Sequence, residues 1–391
     1  MTSSPVLPGS TLGVFGGGQL GRMFASEARR MGYDVWAFTP DQGTPAAPFC
    51  SRVVRAAYED LDAVREFARG VDAITLEFEN ISAQALEAAA EITPVRPSPA
   101  VLHTTQDRLR EKRGLESLGL AVAPFAAIEK KADVASAAAK IGFPAILKTS
   151  SWGYDGKGQR RVESEAALSE AWTELSEQPC VLEGFIDFEL ELSIVGARSV
   201  TGEVELFEPS ANAHERHALD VSVTPAPVSP ATIEAAKEIA RSVLEGLDVV
   251  GVMCVELFAK SSGDLLVNEV APRPHNSGHL TIEACATSQF GQQLRATSGL
   301  PLGSPKRIVP AAAMSNLFGD LWQQGEPDWK AALEHPGVKL HLYGKREARI
   351  ARKMGHLTAT AETPAAAEAL VRRARTALVA RYAHSTPSAS A

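Results

Sequence analysis

Only four cysteines occur in the 391 residues, Cys50, Cys180, Cys254 and Cys285, and no two of them form a Cys-x-x-Cys pair. That excludes a disulfide framework and a zinc site of the usual spacing, and it predicts reduced, mostly buried thiols. There is no excess of positive charge either. A formal net charge of −8 argues against nucleic acid or a membrane surface as the main partner and leaves a small molecule as the expected target. No apolar run approaches the length of a membrane span, and the opening MTSSPVLPGS lacks the charged-then-apolar build of a secretion signal, so the cytoplasm is the expected location. Three catalytic signatures are missing: the Walker loop GxxxxGK[ST], the GxSxG elbow and the HExxH zinc helix. No internal repeat is present.

What is there is an α/β and α+β chain too long for a single core. The pattern TLGVFGGG, QLGRMFASEARRMG, YDVWAFT over residues 11 to 39 predicts strand, glycine loop, helix and strand. Gly16, Gly18 and Gly21 satisfy GxGxxG, with Asp41 about twenty residues on, as a dinucleotide site requires. The same glycines also suit a tight turn that binds nothing. Helix LDAVREFAR, strand AITLEFE and helix SAQALEAAAEI follow, so residues 1–98 are expected to form a Rossmann-like domain that ends at the proline-rich PVRPSP. Asp107 is placed to cap the amphipathic helix DRLREKRGLESLGL.

The central stretch, 99–303, carries the chemistry. GFPAILKTSSWGYDGKGQRRV predicts a strand ending in Lys148, a loop with Gly153, Asp155, Gly156 and Gly158, and a returning basic strand. Amides of a glycine loop wrap phosphate oxygens while a lysine supplies charge; a plain hairpin is the alternative. Glu183 and Glu191 lie in apolar strands, where an unpartnered carboxylate is costly. A helix is expected from Pro230, after Ser229, and a single helix over LTIEACATSQFGQQLRATSG. In GVMCVELFAKSSGDLLVNEVAPRPHNSGH, two apolar strands flank a Ser-Ser-Gly-Asp turn. A turn centred between Ser262 and Gly263 sets Glu256 opposite Glu269. Like charges in that position repel, so a cation is expected between them, and hard divalent ions favour such oxygens; two glutamates on a solvated sheet edge are the alternative. Asn268 falls on the other face of an ideal strand and needs a twist or bulge to join them. The polar tail Arg273, His275, Asn276, Ser277 and His279 has no purpose in a plain strand.

Residues 304–391 are expected to form a small third domain with strands near 308 to 315 and 338 to 343. A basic segment with Lys345, Arg349, Arg352 and Lys353 follows, then a C-terminal amphipathic helix and a disordered HSTPSASA tail. Basic runs are commonly solvated faces.

GGGQLGRM, LEFEN, GYDGKGQ, LEGFI, MCVELF, VNEVAPRPHNSGH and RKMGHL together resemble the ATP-grasp carboxylate-amine ligases. Within them the match is to the branch that carboxylates 5-aminoimidazole ribonucleotide, over roughly residues 11 to 360. The resemblance implies an ATP-grasp architecture with an N-terminal Rossmann-like domain, a two-lobed centre and a small C-terminal domain. It implies an ATP-dependent carbon–nitrogen ligase of purine synthesis that uses magnesium, or manganese in its place. By the resemblance, bicarbonate and ATP would form carboxyphosphate, which would deliver its carboxyl, directly or as released CO2, to the ribonucleotide amine, giving ADP and phosphate.

Position by position, the resemblance puts Arg108 and Lys148 on the ATP phosphates under a lid of Gly153, Tyr154, Asp155, Gly156, Lys157, Gly158 and Gln159. Glu183, Gly184, Phe185 and Ile186 would flank the adenine, Glu191 would hold the ribose, and His214 would lie at the nucleotide. Glu256 and Glu269 would ligate the metal beside Asn268, and Arg273, His275 and Asn276 would serve the transfer. The ribonucleotide would meet Gly18, Gln19, Leu20, Glu79, Tyr154, Lys345, Arg352 and Lys353. A homodimer that hands its product to a separate mutase is also implied. The match departs at SerTrpGly before the loop, at SANAH before His214, and in GKREARIARK, which is one residue longer than the family pattern. The alternatives are another ATP-grasp ligase such as the formate-dependent glycinamide ribonucleotide transformylase, a nicotinamide oxidoreductase built on GxGxxG, and a nucleotide binder without turnover.

Overall fold

The computed structural model describes residues 4–151 and 158–379. Its strands fall into three sheets. Thr11–Phe15 (β1), Asp34–Phe38 (β2), Arg52–Val54 (β3) and Ala73–Leu76 (β4) are parallel in the order β3-β2-β1-β4. β4 is buried throughout and β1 at all but its first residue, the continuous apolar pattern of a sheet covered on both faces. Phe125–Ile128 (β5), Ala145–Thr149 (β6), Gln159–Val162 (β7) and Cys180–Gly184 (β8) form an antiparallel sheet in the order β5-β8-β6-β7.

The third sheet contains Leu190–Arg198 (β9), Val204–Leu206 (β10), Ser210–Glu215 (β11), Ala218–Thr224 (β12), Gly251–Ala259 (β13) and Leu265–Ala271 (β14). Ala311–Phe318 (β15), Val338–Leu342 (β16) and Lys353–Ala361 (β17) complete it. The order is β14-β13-β9-β11-β12-β15-β17-β16, with β10 on β9. β12 pairs with β15, so one sheet carries the C-terminal strands and the hairpin that holds both glutamates.

The expected elements form, together with some not expected from sequence, among them β3, β5, β12 and the helix Asp133–Ile141. β3 lacks the length to stand out in sequence. The segment 204–215 splits into β10 and β11 because Pro209 intervenes and has no N–H for a ladder. The helix expected over 280–299 breaks into Thr281–Ala284 and Gln289–Ser298, since Cys285 bridges to Arg307 and Ser288 caps the second piece by accepting from the Gly291 N–H at 3.1 Å. The basic segment runs directly into β17 at Lys353.

The helix Pro230–Gly246 shows how the core is built. Ser229 accepts from the Thr232 N–H at 3.1 Å, and the proline sits in the first turn, where no N–H is needed. Ala236, Ala240, Val243 and Leu244 form a buried stripe at helical spacing. They pack with Ile194, Met253 and Val255, each buried Val or Leu side chain being worth about 1.5–3 kcal/mol. β9 provides Gly196 beneath this helix, where a Cβ would come within 2.5 Å of Leu244 Cδ1.

The C-terminal helix Pro364–Ala377 is tied to β12 through Asp220, which is buried and accepts from Arg372 Nη1 at 3.0 Å, Arg375 Nη2 at 3.2 Å and Arg375 Nη1. Burial would raise the Asp220 pKa, but the two guanidiniums outweigh it and hold the group below the usual carboxylate range. Asp220→Asn is therefore expected to destabilise the protein by about 1.5–3 kcal/mol. A depressed carboxylate contributes stability that is fully present above its unfolded pKa of about 3.9 and is lost as pH falls through the folded value. Denaturation of the two proteins in urea should differ at neutral pH and converge as the medium is acidified.

Candidate active site

The register of the hairpin is the expected one: Val255 pairs with Val270 and Glu256 with Glu269. Immediately afterwards it slips, so that Leu257 pairs with Val267 and Asn268 is the extra residue of a bulge. The slip breaks the strict alternation at Asn268, which is half-buried next to Glu269. Each glutamate faces a cationic side chain. Arg108 Nη1 donates to Glu269 Oε2 at 3.0 Å, and His275 Nε2 lies 3.0 Å from Glu256 Oε1. Burial works to raise the Glu269 pKa, but Arg108 and Lys148 hold it well below the usual range. Burial alone would lower the His275 pKa; Cys254 and the Glu256 carboxylate reverse this and raise it to about 10.

Arg108 is delivered by the helix Arg108–Ser117, capped as expected by Asp107 Oδ1 on the N–H groups of Leu109 and Arg110. Lys148, on β6, donates to Glu183 Oε2 at 2.9 Å, and Lys112 lies 3.3 Å from Glu183 Oε1. Glu183 thus faces inward onto two lysines, which hold its pKa low against burial. Gly184 ends β8, Phe185 is exposed under the Arg161 guanidinium at 4.5 Å, and Ile186 is half-buried. Glu191 and His214 come together across β9 and β11, with Nδ1 and Oε2 2.5 Å apart. The Glu191 bond raises the His214 pKa despite burial. Gln159 opens β7 opposite Lys148, and Gly158 returns its carbonyl to the Thr149 N–H at 2.8 Å. Gly153, Tyr154, Asp155, Gly156 and Lys157 lie outside the described residues.

The polar tail folds back over the hairpin. Arg273 Nε sits 2.9 Å from Glu79 Oε1, joining the central part of the chain to the residue just after β4. Burial raises the Glu79 pKa and Arg273 opposes that. His275 Nδ1 is 2.8 Å from Ser277 Oγ, which accepts from Ser193 Oγ at 2.8 Å. Asn276 is buried, and among the described residues neither its amide oxygen nor its nitrogen has a partner; a buried amide left so calls for a bound group or water to satisfy it.

Gln289, fully buried, grips the His275 peptide from both sides: its Oε1 accepts from the His275 N–H at 2.9 Å, and its Nε2 donates to the His275 carbonyl at 2.8 Å. One turn along, Gln293 Nε2 donates to Thr75 Oγ1 at 3.1 Å and to the Leu76 carbonyl at 3.0 Å. One helix face thereby fixes His275 relative to β4 and its glutamates. No motif marks either glutamine; only the i, i+4 spacing of two amides on an apolar helix hints at it.

The glycine loop after β1 holds a carboxylate. Glu77 accepts from the Gly18 N–H and, at 2.8 Å, from the Gly21 N–H. A Cβ on Gly16 would meet Glu77 Cγ at 2.2 Å, so the glycines are there for this side chain. That arrangement fills the place where a dinucleotide pyrophosphate would sit, and it removes the support for the oxidoreductase. Lys345 Nζ donates to Gln19 Oε1 and to the Lys353 carbonyl, both at 2.6 Å, which brings the C-terminal segment to the loop of Gly18, Gln19 and Leu20. Arg352 Nη1 donates to the Glu347 carbonyl at 3.0 Å. Cys50, Cys180 and Cys285 are thiols whose pKa burial pushes up to about 12, 11 and 12, which makes them poor nucleophiles. No helix of the described residues is long and apolar enough to cross a membrane.

Residues 10–106 match the ribonucleotide synthetase preATP-grasp domain, 113–290 the ATP-grasp domain, and 312–370 the phosphoribosylaminoimidazole carboxylase C-terminal domain. An N5-carboxyaminoimidazole ribonucleotide synthase of Brucella melitensis is 43% identical over 360 residues, 92% of this chain and 98% of that one. The ADP complex of the Staphylococcus aureus N5-carboxyaminoimidazole synthetase superposes with a TM-score of 0.89 at 34% identity, covering 96% of this chain and 99% of that one. The Aspergillus clavatus synthase in complex with ADP and 5-aminoimidazole ribonucleotide gives 0.87 at 31%, covering 94% and 98%. By these matches over nearly its whole length, the chain belongs to the N5-carboxyaminoimidazole ribonucleotide synthase family of ATP-grasp ligases.

Proposed function

We propose that this enzyme carboxylates 5-aminoimidazole ribonucleotide with bicarbonate at the expense of ATP, through carboxyphosphate. The observation that carries the proposal is the register of β13 and β14, which sets Glu256 against Glu269 and bulges Asn268 out beside them. Among the described residues no group of three or more acidic, histidine or cysteine side chains is arranged to hold a metal ion by itself. Two carboxylates are the donor set that magnesium takes when phosphates and water complete its shell, so Glu256 and Glu269 would hold magnesium, or manganese. A metal held there would supply positive charge against the phosphates during phosphoryl transfer.

The chain's own groups do the rest. Arg108 and Lys148 supply positive charge to the ATP phosphates, and Gly184 to Ile186 with Glu191 and His214 cradle the nucleoside. Arg273 spreads the charge of carboxyphosphate, and His275 and the unpartnered amide of Asn276 orient it. The ribonucleotide lies between the Gly18–Leu20 loop and Glu79 on one side and Lys345, Arg352 and Lys353 on the other, guanidinium and ammonium matching its phosphate. A homodimer that passes the carbamate to a separate mutase extends the same proposal.

The test is phosphate release from ATP and magnesium with the ribonucleotide and bicarbonate added singly and together. Release stimulated only by the pair is expected. No stimulation overturns the proposal, and stimulation by formate with glycinamide ribonucleotide favours the transformylase alternative.

A further inference from the structure

A bulge costs an edge strand its regular hydrogen bonds, and β14 is the edge of its sheet. Its outer side is nevertheless satisfied. The Val267 N–H donates to the Ala121 carbonyl at 2.8 Å, and the next partners come from one face of the helix Arg108–Ser117. Arg108 holds the Glu269 carboxylate at 3.0 Å, Glu111 Oε2 accepts from the Val270 N–H at 3.3 Å, and Lys112 Nζ donates to the Asn268 carbonyl at 3.4 Å. The spacing i, i+3, i+4 is that of a single helix face, and the three side chains grip three consecutive residues, 268, 269 and 270. Glu111 is 4% exposed and Lys112 1%, and ionisable groups that deep persist only where specific partners hold them; burial pushes the Glu111 carboxyl up to about 8. Lys112 also reaches Glu183 Oε1 at 3.3 Å, while Lys148 takes the other oxygen.

From this arrangement we infer that Glu111 and Lys112 are positioning residues for the metal: they clasp the bulge, set the direction of Glu269 and Asn268, and link that setting through Glu183 to Lys148. The inference rests on the metal site proposed for Glu256 and Glu269. Groups that orient metal ligands without touching the ion typically govern its affinity by about 10–100-fold. Neither residue carries a signal in sequence, because both resemble the exposed charges of an amphipathic helix.

Binding of Mn2+ in the presence of ADP, followed by electron paramagnetic resonance, tests this without relying on turnover. Lys112→Met and Glu111→Leu are expected to weaken Mn2+ binding about tenfold and to raise the magnesium half-saturation of phosphate release with less change in kcat at saturating metal. Glu111→Gln keeps an oxygen for the Val270 N–H and should stay near the parent. Amide exchange at Val270 should accelerate in Glu111→Leu alone of the two position-111 variants, which gives a readout on any folded sample. Parent-like Mn2+ binding in both Lys112→Met and Glu111→Leu overturns the clasp while leaving the metal site intact. Parent-like binding in Glu269→Gln overturns the metal site, and the clasp with it.

Discussion

Glu269→Gln is expected to lower kcat/KM for ATP about 10³-fold, the equivalent of about 4 kcal/mol of transition-state stabilisation. The substitution keeps the size of the side chain and an oxygen for Arg108, 3.0 Å away, so positioning of the arginine largely survives. What disappears is the negative charge opposite Glu256. Two consequences follow from different causes. The metal loses one of two anionic ligands, which should appear as a large rise in magnesium half-saturation. Arg108, itself mostly buried and held charged by Glu269 and Glu111 against the cost of burial, loses its principal counter-ion, which should reduce stability. Magnesium titration of phosphate release separates the two, because added metal recovers rate lost to weak binding and recovers nothing lost to unfolding. A variant with the parent's rate and metal dependence would remove Glu269 from the site.

The part of this site that sequence revealed is the part governed by local rules. Strand period and turn composition placed Glu256 opposite Glu269, and the requirement for a bulge at Asn268 followed from parity alone. Asp107, Ser229 and Pro230 marked helix starts because caps are read from neighbouring residues. What stayed hidden depends on contacts between distant segments. The glycines after β1 look like a phosphate loop until Glu77, 59 residues away, is seen taking the Gly18 amide. Gln289 and Gln293 look like ordinary helix residues until their partners at His275 and on β4 are known. Glu111 and Lys112 have the composition of a solvated face, and only the edge position of β14 gives them a use. Lys345, in a segment one residue longer than the family pattern, is brought to the loop after β1 by its bonds to Gln19 and the Lys353 carbonyl, a contact that no local rule foretells.

Arg273→Ala is expected to reduce the carboxylation rate about 10²–10³-fold, the usual cost of removing one preorganised charge from a transition state, while ATP binding is retained. Arg273 pairs with Glu79, whereas the proposed nucleotide-binding Lys148 pairs with Glu183, so equilibrium binding of ATP should not register the loss of Arg273. The same substitution leaves Glu79 without its strongest counter-charge. The Glu79 pKa is already raised by burial, with Arg273 the largest opposing influence, and it should rise further. A carboxylate raised in the folded state binds more protons folded than unfolded, so stability falls as pH increases above its unfolded value of about 4.3. The single variant should therefore be increasingly less stable than the parent from mildly acidic to neutral pH. Adding Glu79→Gln removes the uncompensated charge and should restore stability at neutral pH without restoring rate. If the double variant instead recovers turnover, the arginine serves only to neutralise Glu79, and the charge that assists carboxyl transfer comes from another group.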